Sequence, residues 1–486
     1  MSPLPGSPMP TLADILDRLV AKAATEKPGD FAELAAVAGL DPATDFVGAS
    51  LREIDLRGED LRGFDFSKAD LTGADFRGAN VMGVRWFGAN LSGVVGLPDQ
   101  VLKDAQSPPL ATSSEFMREV KRRLLAGESI PQPWTPLITR LRIGGTRLRN
   151  LRLVARLTAL RRLGFPNTRV DDLGPLAELV NLQWLNCSST RVNDLWPLSS
   201  VIALKELDCS FTRIDDLAPL AGLQMLRILS FRHTKITDLG PLAGLAALRS
   251  LDCAGTPVSD LGPVAGLYGM GTFDCSSTQV NDLGPLAGLL GLWSLDCSRT
   301  EVDNLAPLRG LRSLLSFRCD NTRIADLVPL ADLERLQSLF VADSRITDLG
   351  PLEGITGLRS LRCSRTRVRD LKPLAGLGRL SWLHCDRTDV NDLAPLSRLS
   401  NLEYLDCSDT QVSDLQPMAG LRQLFSLNCA GTQVRDVRPL AGLASLRYLS
   451  ISDGSADLSP LAHLRELHIN VRRANGQWRH REPSSL

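Results

Sequence analysis

The chain is 486 residues long and 43% hydrophobic, with 55 basic against 55 acidic side chains, so it is neutral and much longer than one ordinary domain. Neutrality argues against a nucleic-acid reader, which carries a basic footprint. No stretch approaches the ~20 apolar residues of a membrane span, so the expected partner is neither nucleic acid nor membrane.

Residues 1–45 read as a flexible leader followed by a helical cap. The opening MSPLPGSPMP is proline-rich and lacks the basic start and apolar core of a secretory signal. Thr11–Ala24 and Asp30–Ala38 have helical composition: Thr11 and Asp30 suit caps, and Leu12, Ile15, Leu16 and Leu19 follow a three-to-four spacing.

Residues 46–95 repeat every five. Leu51, Leu56, Leu61, Phe66, Leu71, Phe76, Val81, Trp86 and Leu91 mark the period, and small or apolar residues (Ala49, Ile54, Phe64, Ala69, Ala74, Ala79, Ala89) stand two positions before most of them. Ala69-Asp70-Leu71-Thr72-Gly73 and Ala74-Asp75-Phe76-Arg77-Gly78 resemble the pentapeptide-repeat family. The resemblance implies a short right-handed quadrilateral β-helix with four pentapeptides per coil. Glu59 falls in an inward, small-residue slot and sits poorly with that pattern in the first coil. Residues 96–137 form a linker with a capping helix, Ser113–Leu125, expected to seal the first coil of the solenoid that follows.

From residue 138 to 471 the period is 22. All ten cysteines (Cys187, Cys209, Cys253, Cys275, Cys297, Cys319, Cys363, Cys385, Cys407, Cys429) stand 22 residues or a multiple of 22 apart. Such self-similarity marks stacked supersecondary units. The unit L-x-x-L-x-C-x-x-T-x-V-x-D-L-x-P-L, as in Leu182–Leu198, resembles a bacterial leucine-rich repeat of the short, internalin-like class. The fold class is therefore a β-rich solenoid: a leucine-rich-repeat arc with a parallel sheet on its concave face, behind the short β-helix and its cap. Alternation turns Leu185 and Cys187 inward and Trp184, Asn186 and Ser188 outward. Asp194 and its equivalents, with Asn304 as the amide substitute, precede Leu-x-Pro and suit the cap of a helical or 3₁₀ turn. Thr190 and its equivalents read as a ladder of hydroxyls bonded to backbone at the bend. Residues 472–486 read as a polar, mobile C-terminal tail.

Chemistry at a single site is not expected. At the cysteine position the chain also places Ile143, Phe165, Phe231, Val341 and Ile451, so the thiols read as buried, reduced packing groups. They lack C-x-x-C spacing for zinc, and a cytoplasmic location fits reduced thiols. There is no phosphate loop, H-E-x-x-H or G-x-S-x-G. His233, His384, His463, His468 and His480 have no metal-ligand spacing. No catalytic residue, cofactor, metal or small-molecule substrate is therefore expected.

The outward face of the sheet remains. Arginine is one of the residues, with the aromatics, that dominate interface energetics. Phe340, Arg362, Trp382, His384, Tyr404 and Asp406, with the cationic column Arg323, Arg345 and Arg367, form the principal candidate partner-binding surface. Trp184, Phe211, Arg191 and Arg213 form a second. The resemblance to leucine-rich arcs implies a non-enzymatic, bacterial-type recognition or scaffold protein that binds a protein partner on the concave face, where these residues lie. An alternative is a sensor or specificity subunit regulating a partner enzyme on another chain. A third reading, a pentapeptide DNA mimic acting on a topoisomerase, needs a long acidic β-helix, whereas this one is short and carries Arg52, Arg57, Arg62, Lys68, Arg77 and Arg85.

Overall fold

A computed structural model describes residues 31, 33, 35, 40–99, 101, 102, 114–454, 456–473 and 477–481. The expected helix Thr11–Ala24 lies outside the described residues, and of Asp30–Ala38 only Phe31, Glu33 and Ala35 fall within them, all helical. The chain divides into two compact units, one of residues 1–141 and 156–159, the other of residues 142–155 and 160–486.

In the first unit, parallel bridges join Ser50 to Asp70, Asp55 to Asp75, Asp60 to Asn80 and Asp65 to Arg85. Each spans twenty residues, so one coil takes four pentapeptides. Leu51, Leu56, Leu61, Phe66, Leu71 and Phe76 are fully buried or nearly so. Phe31, Phe46, Phe64, Phe66, Phe76 and Trp86 meet in a run of ring contacts with centroids 5.0 to 6.1 Å apart. Glu59 does not break the first coil. It is 2% exposed, and its Oε1 accepts the Phe31 amide at 2.6 Å, so the buried carboxylate serves a helical N–H rather than a void.

Outside the coil, the arginines and aspartates pair within one turn. Arg57 Nη2 lies 2.6 Å from Asp55, Arg62 Nη2 2.6 Å from Asp60, and Arg77 Nη2 2.5 Å from Asp75. The Arg77 guanidinium holds the Asp75 carboxyl down to about 2. Of the expected helix, the described part runs over Ser114–Ala126, with Phe116, Val120 and Leu124 buried along one face. Trp134, fully buried, stacks on Phe87 with centroids 5.5 Å apart and meets Phe116 at 5.4 Å. The segment expected to cap the second solenoid thus packs on the pentapeptide coil.

The second unit repeats one coil. Three-residue strands such as Trp184–Asn186 pair in parallel with identical repeat positions facing one another: Trp184 with Glu206, Leu185 with Leu207. Each strand is followed by a 3₁₀ turn such as Trp196–Leu198. The inward leucines and all ten cysteines are buried. The aspartate stands one place before the turn's capping leucine, and its Oδ1 accepts the amide two residues on, as in Asp194 to Trp196 at 2.8 Å and Asp238 to Gly240 at 2.7 Å. Asn304 does the same for Ala306 at 2.9 Å. Each threonine hydroxyl donates to the carbonyl three residues back, as Thr190 to Cys187 and Thr300 to Cys297, both 2.6 Å.

The C-terminal end departs from a plain tail. Trp478–Arg481 is a strand that pairs antiparallel with His468–Arg472, Arg472 facing Trp478. It covers the last edge of the sheet, which would otherwise present unpaired backbone groups.

Candidate partner-binding surface

The strand register builds two neighbouring columns on the outward face. One runs Ser360, Trp382, Tyr404, Ser426, Tyr448 and His468; the other runs Phe340, Arg362, His384, Asp406 and Asn428. Residues two apart on a strand share a face, so the columns form one surface. Trp382 is 43% and Tyr448 44% exposed. Tyr404 is only half-buried, because Trp382 lies over it at a centroid distance of 3.9 Å and Phe425 flanks it at 5.7 Å.

Sequence reading missed how far this aromatic run extends. Phe425 meets Tyr448 at 5.4 Å, Tyr448 meets His468 at 5.5 Å, and His468 meets His480 on the antiparallel strand at 5.5 Å. The signal was present only as residues near multiples of 22 apart, and His480 joins through a strand that the repeat does not contain.

The other principal residues divide. Phe340 is half-buried with the Arg318 guanidinium over its ring at 4.7 Å. Arg345 and Arg367 share a depression with Arg365 and Arg387, whereas Arg323 is held by Glu301 one repeat earlier. Pairing thus sets Arg323 apart from the rest of the cationic column.

Near the other end of the unit, Trp184 and Phe211 line a depression of about 390 Å³ together with Glu206, Ile228 and Arg232. Trp184 carries the Arg142 guanidinium at 5.6 Å, and Phe211, 51% exposed, stacks on His233 at 4.7 Å. Arg191 and Arg213 are exposed but do not line it.

A second feature invisible in the sequence is backbone strain. The residue before each ladder threonine takes a left-handed conformation, with φ between +52° and +56° in Asn167, Ser189, Phe211, His233, Ser277, Arg299, Asn321, Asp343, Arg365, Arg387 and Asp409. Glycine fills that position at Gly145, Gly255 and Gly431. Elsewhere the coil imposes a conformation that L-residues avoid, and it presents Phe211, Arg365 and Arg387 outward.

Electrostatics follow the columns. Asp252, Asp274 and Asp296 are register neighbours on three successive strands. Burial, and then repulsion from Asp274, pushes the Asp252 carboxyl up. Asp296 is pushed up by burial and Asp274 against hydrogen bonds from Ser298 and the pull of Arg318. Burial also pushes up the cysteine thiols, Cys363 and Cys429 to about 12. Several also donate to a carbonyl of the next repeat, Cys253 to Asp274 at 3.3 Å among them. Such thiols are inert packing groups.

Among the described residues no helix is long and apolar enough to cross a membrane. A family model of pentapeptide repeats, eight copies, matches residues 44–84, and no curated protein matches the chain. Solved structures share the fold. An internalin from Listeria monocytogenes is 25% identical, covering 66% of this chain and 98% of that one, with a TM-score of 0.61. An LRR protein from Leptospira interrogans is 19% identical, covering 70% and 92%, with a TM-score of 0.64. The plant peptide hormone receptor RGFR1, solved in complex with RGF2, is 14% identical, covering 69% and 63%, with a TM-score of 0.57. The chain is thus a leucine-rich-repeat protein, internalin-like in its repeat, with a pentapeptide-repeat segment ahead of it.

Proposed function

We propose that this chain is a non-enzymatic recognition protein that binds a protein partner on the outward, concave face of its leucine-rich repeats. The observation that carries the reading is the aromatic run Trp382–Tyr404–Phe425–Tyr448, exposed at Trp382 and Tyr448 and half-buried between them, flanked by Arg362, His384 and Asp406. Large rigid rings beside arginine are the groups that most often dominate interface energetics. A protein partner accords with the plant receptor of the same fold, solved with RGF2 bound, and the inert, reduced thiols suit a cytoplasmic setting. The threonine hydroxyls, buried and committed to carbonyls, are unsuited to nucleophilic work.

The test is affinity capture with the full chain and with a Trp382→Ala/Tyr404→Ala variant whose melting curve shows that it still folds. A protein retained by the wild type and lost from the variant supports the reading. Equal retention by both removes this patch from it.

A further inference from the structure

We propose that His384, Asp386 and Asp406 form a binding site for one divalent transition-metal ion, with zinc as the reference ion, on the outward face of the repeat sheet. His384 and Asp406 face each other in register on adjacent parallel strands. Asp386 opens the turn that follows the His384 strand and brings its carboxylate back to the same two side chains. One donor atom from each residue lies within 4.8 Å of the others. Zinc bonded at about 2.0–2.2 Å to nitrogen and oxygen brings its ligands to about 3.5 Å from one another. Side-chain rotation closes that gap, because all three side chains are only half-buried.

The carboxylates are already oriented. Asp386 accepts the Ser364 hydroxyl. Asp406 Oδ1 accepts the Ser408 amide at 2.9 Å and its hydroxyl at 2.6 Å, and Oδ2 accepts Asn428 Nδ2 at 2.9 Å. Such outer partners hold metal ligands in place, and each carboxylate keeps lone pairs to give.

The repeat does not account for the trio. His384 is the one histidine directly before a cysteine of the ladder, and of the residues directly after those cysteines only Asp320 and Asp386 are acidic. Asp320 follows Arg318 across its cysteine, not a histidine. Among the described residues no other group of three histidine, cysteine or acidic side chains converges in this way.

The donor set selects the ion. Imidazole suits zinc, copper and nickel, whereas calcium takes six to eight oxygens. Two carboxylates balance the charge of a dication. Arg362, in register with His384 on the preceding strand, is the competing cation. Three protein ligands leave a coordination position open to water on this face. The site stands without the partner reading, since the ion alone tests it.

The experiment is calorimetric titration of Zn²⁺ into the reduced full chain, repeated with Ca²⁺, and with His384→Asn, Asp406→Asn and His468→Ala. The expected result is saturable binding of one equivalent of Zn²⁺ by the wild type and by His468→Ala, with no comparable Ca²⁺ binding. His384→Asn and Asp406→Asn should each weaken Zn²⁺ binding at least about tenfold. Melting curves identify any variant that fails to fold, in which case Asp386→Asn takes its place. Absence of saturable binding by the wild type overturns the proposal. So does binding that survives His384→Asn or that is lost with His468→Ala, since the ion then sits elsewhere.

Discussion

The rings of Trp382 and Tyr404, in register on adjacent strands, lie 3.9 Å apart at their centroids and 33° from parallel. They act as one platform, so their contributions to binding are coupled. Truncating either to Ala should cost about 2 kcal/mol of affinity, roughly a thirtyfold rise in Kd, and the double variant should cost less than the sum. Stability should fall by about 1 kcal/mol, the usual worth of an aromatic pair. Gln279→Ala, an exposed residue outside the aromatic run, is the control. Dissociation constants beside melting curves check this; unchanged affinity in both single variants dismisses the platform.

Cys297 is fully buried, and burial raises its thiol far above the ordinary range. Replacing it by Ser should destabilise the fold by about 1–3 kcal/mol, since a hydroxyl there lacks full hydrogen bonding. Val should be better tolerated, as the apolar residues at equivalent positions suggest. Urea melts measure the difference, and a thiol reagent should react with the ten cysteines only after denaturation. Rapid labelling of the native protein would contradict the packing role.

The acidic column offers a pH test. Asp252 and Asp296 titrate above the ordinary 3.8, through burial and through Asp274 between them. The native state therefore binds protons more tightly than the unfolded chain. Their contribution is most favourable in acid and is lost as pH rises from the ordinary aspartate range through the raised values. Asp274→Asn removes the shared repulsion while keeping an acceptor for the Ser276 amide, now 2.9 Å away. It should raise the melting temperature at neutral pH and do so less in acid. An equal or opposite shift at the two pH values would refute the coupling.

Thr300 is buried, and its hydroxyl donates to the Cys297 carbonyl at 2.6 Å. Thr300→Val keeps the volume and removes the donor, so it should cost about 1–2 kcal/mol. Amide exchange should quicken most around that repeat, because solenoid stability is summed over neighbours. Uniform acceleration along the whole sheet would contradict that local account.

The sequence by itself determined the coil. Leucines and cysteines at a fixed period, an aspartate before Leu-x-Pro and a threonine at the bend each act on backbone within a few residues, and stacking then repeats the same local answer. It also placed Trp382 and Tyr404 on the outward face, since alternation along a strand is a local rule. Only the tertiary structure decided which outward groups meet. Parallel pairing brings residues 22 apart in the chain to neighbouring strands, about 4.8 Å away, and so joins His384 to Asp406 and carries the aromatic run from Trp382 to His468. Closing each coil forced Phe211, Arg365 and Arg387 into left-handed backbone against their own preference. The free edge of the sheet drew Trp478–Arg481 out of an apparent tail and into a strand, because unpaired backbone groups there are satisfied by any segment long enough to reach them.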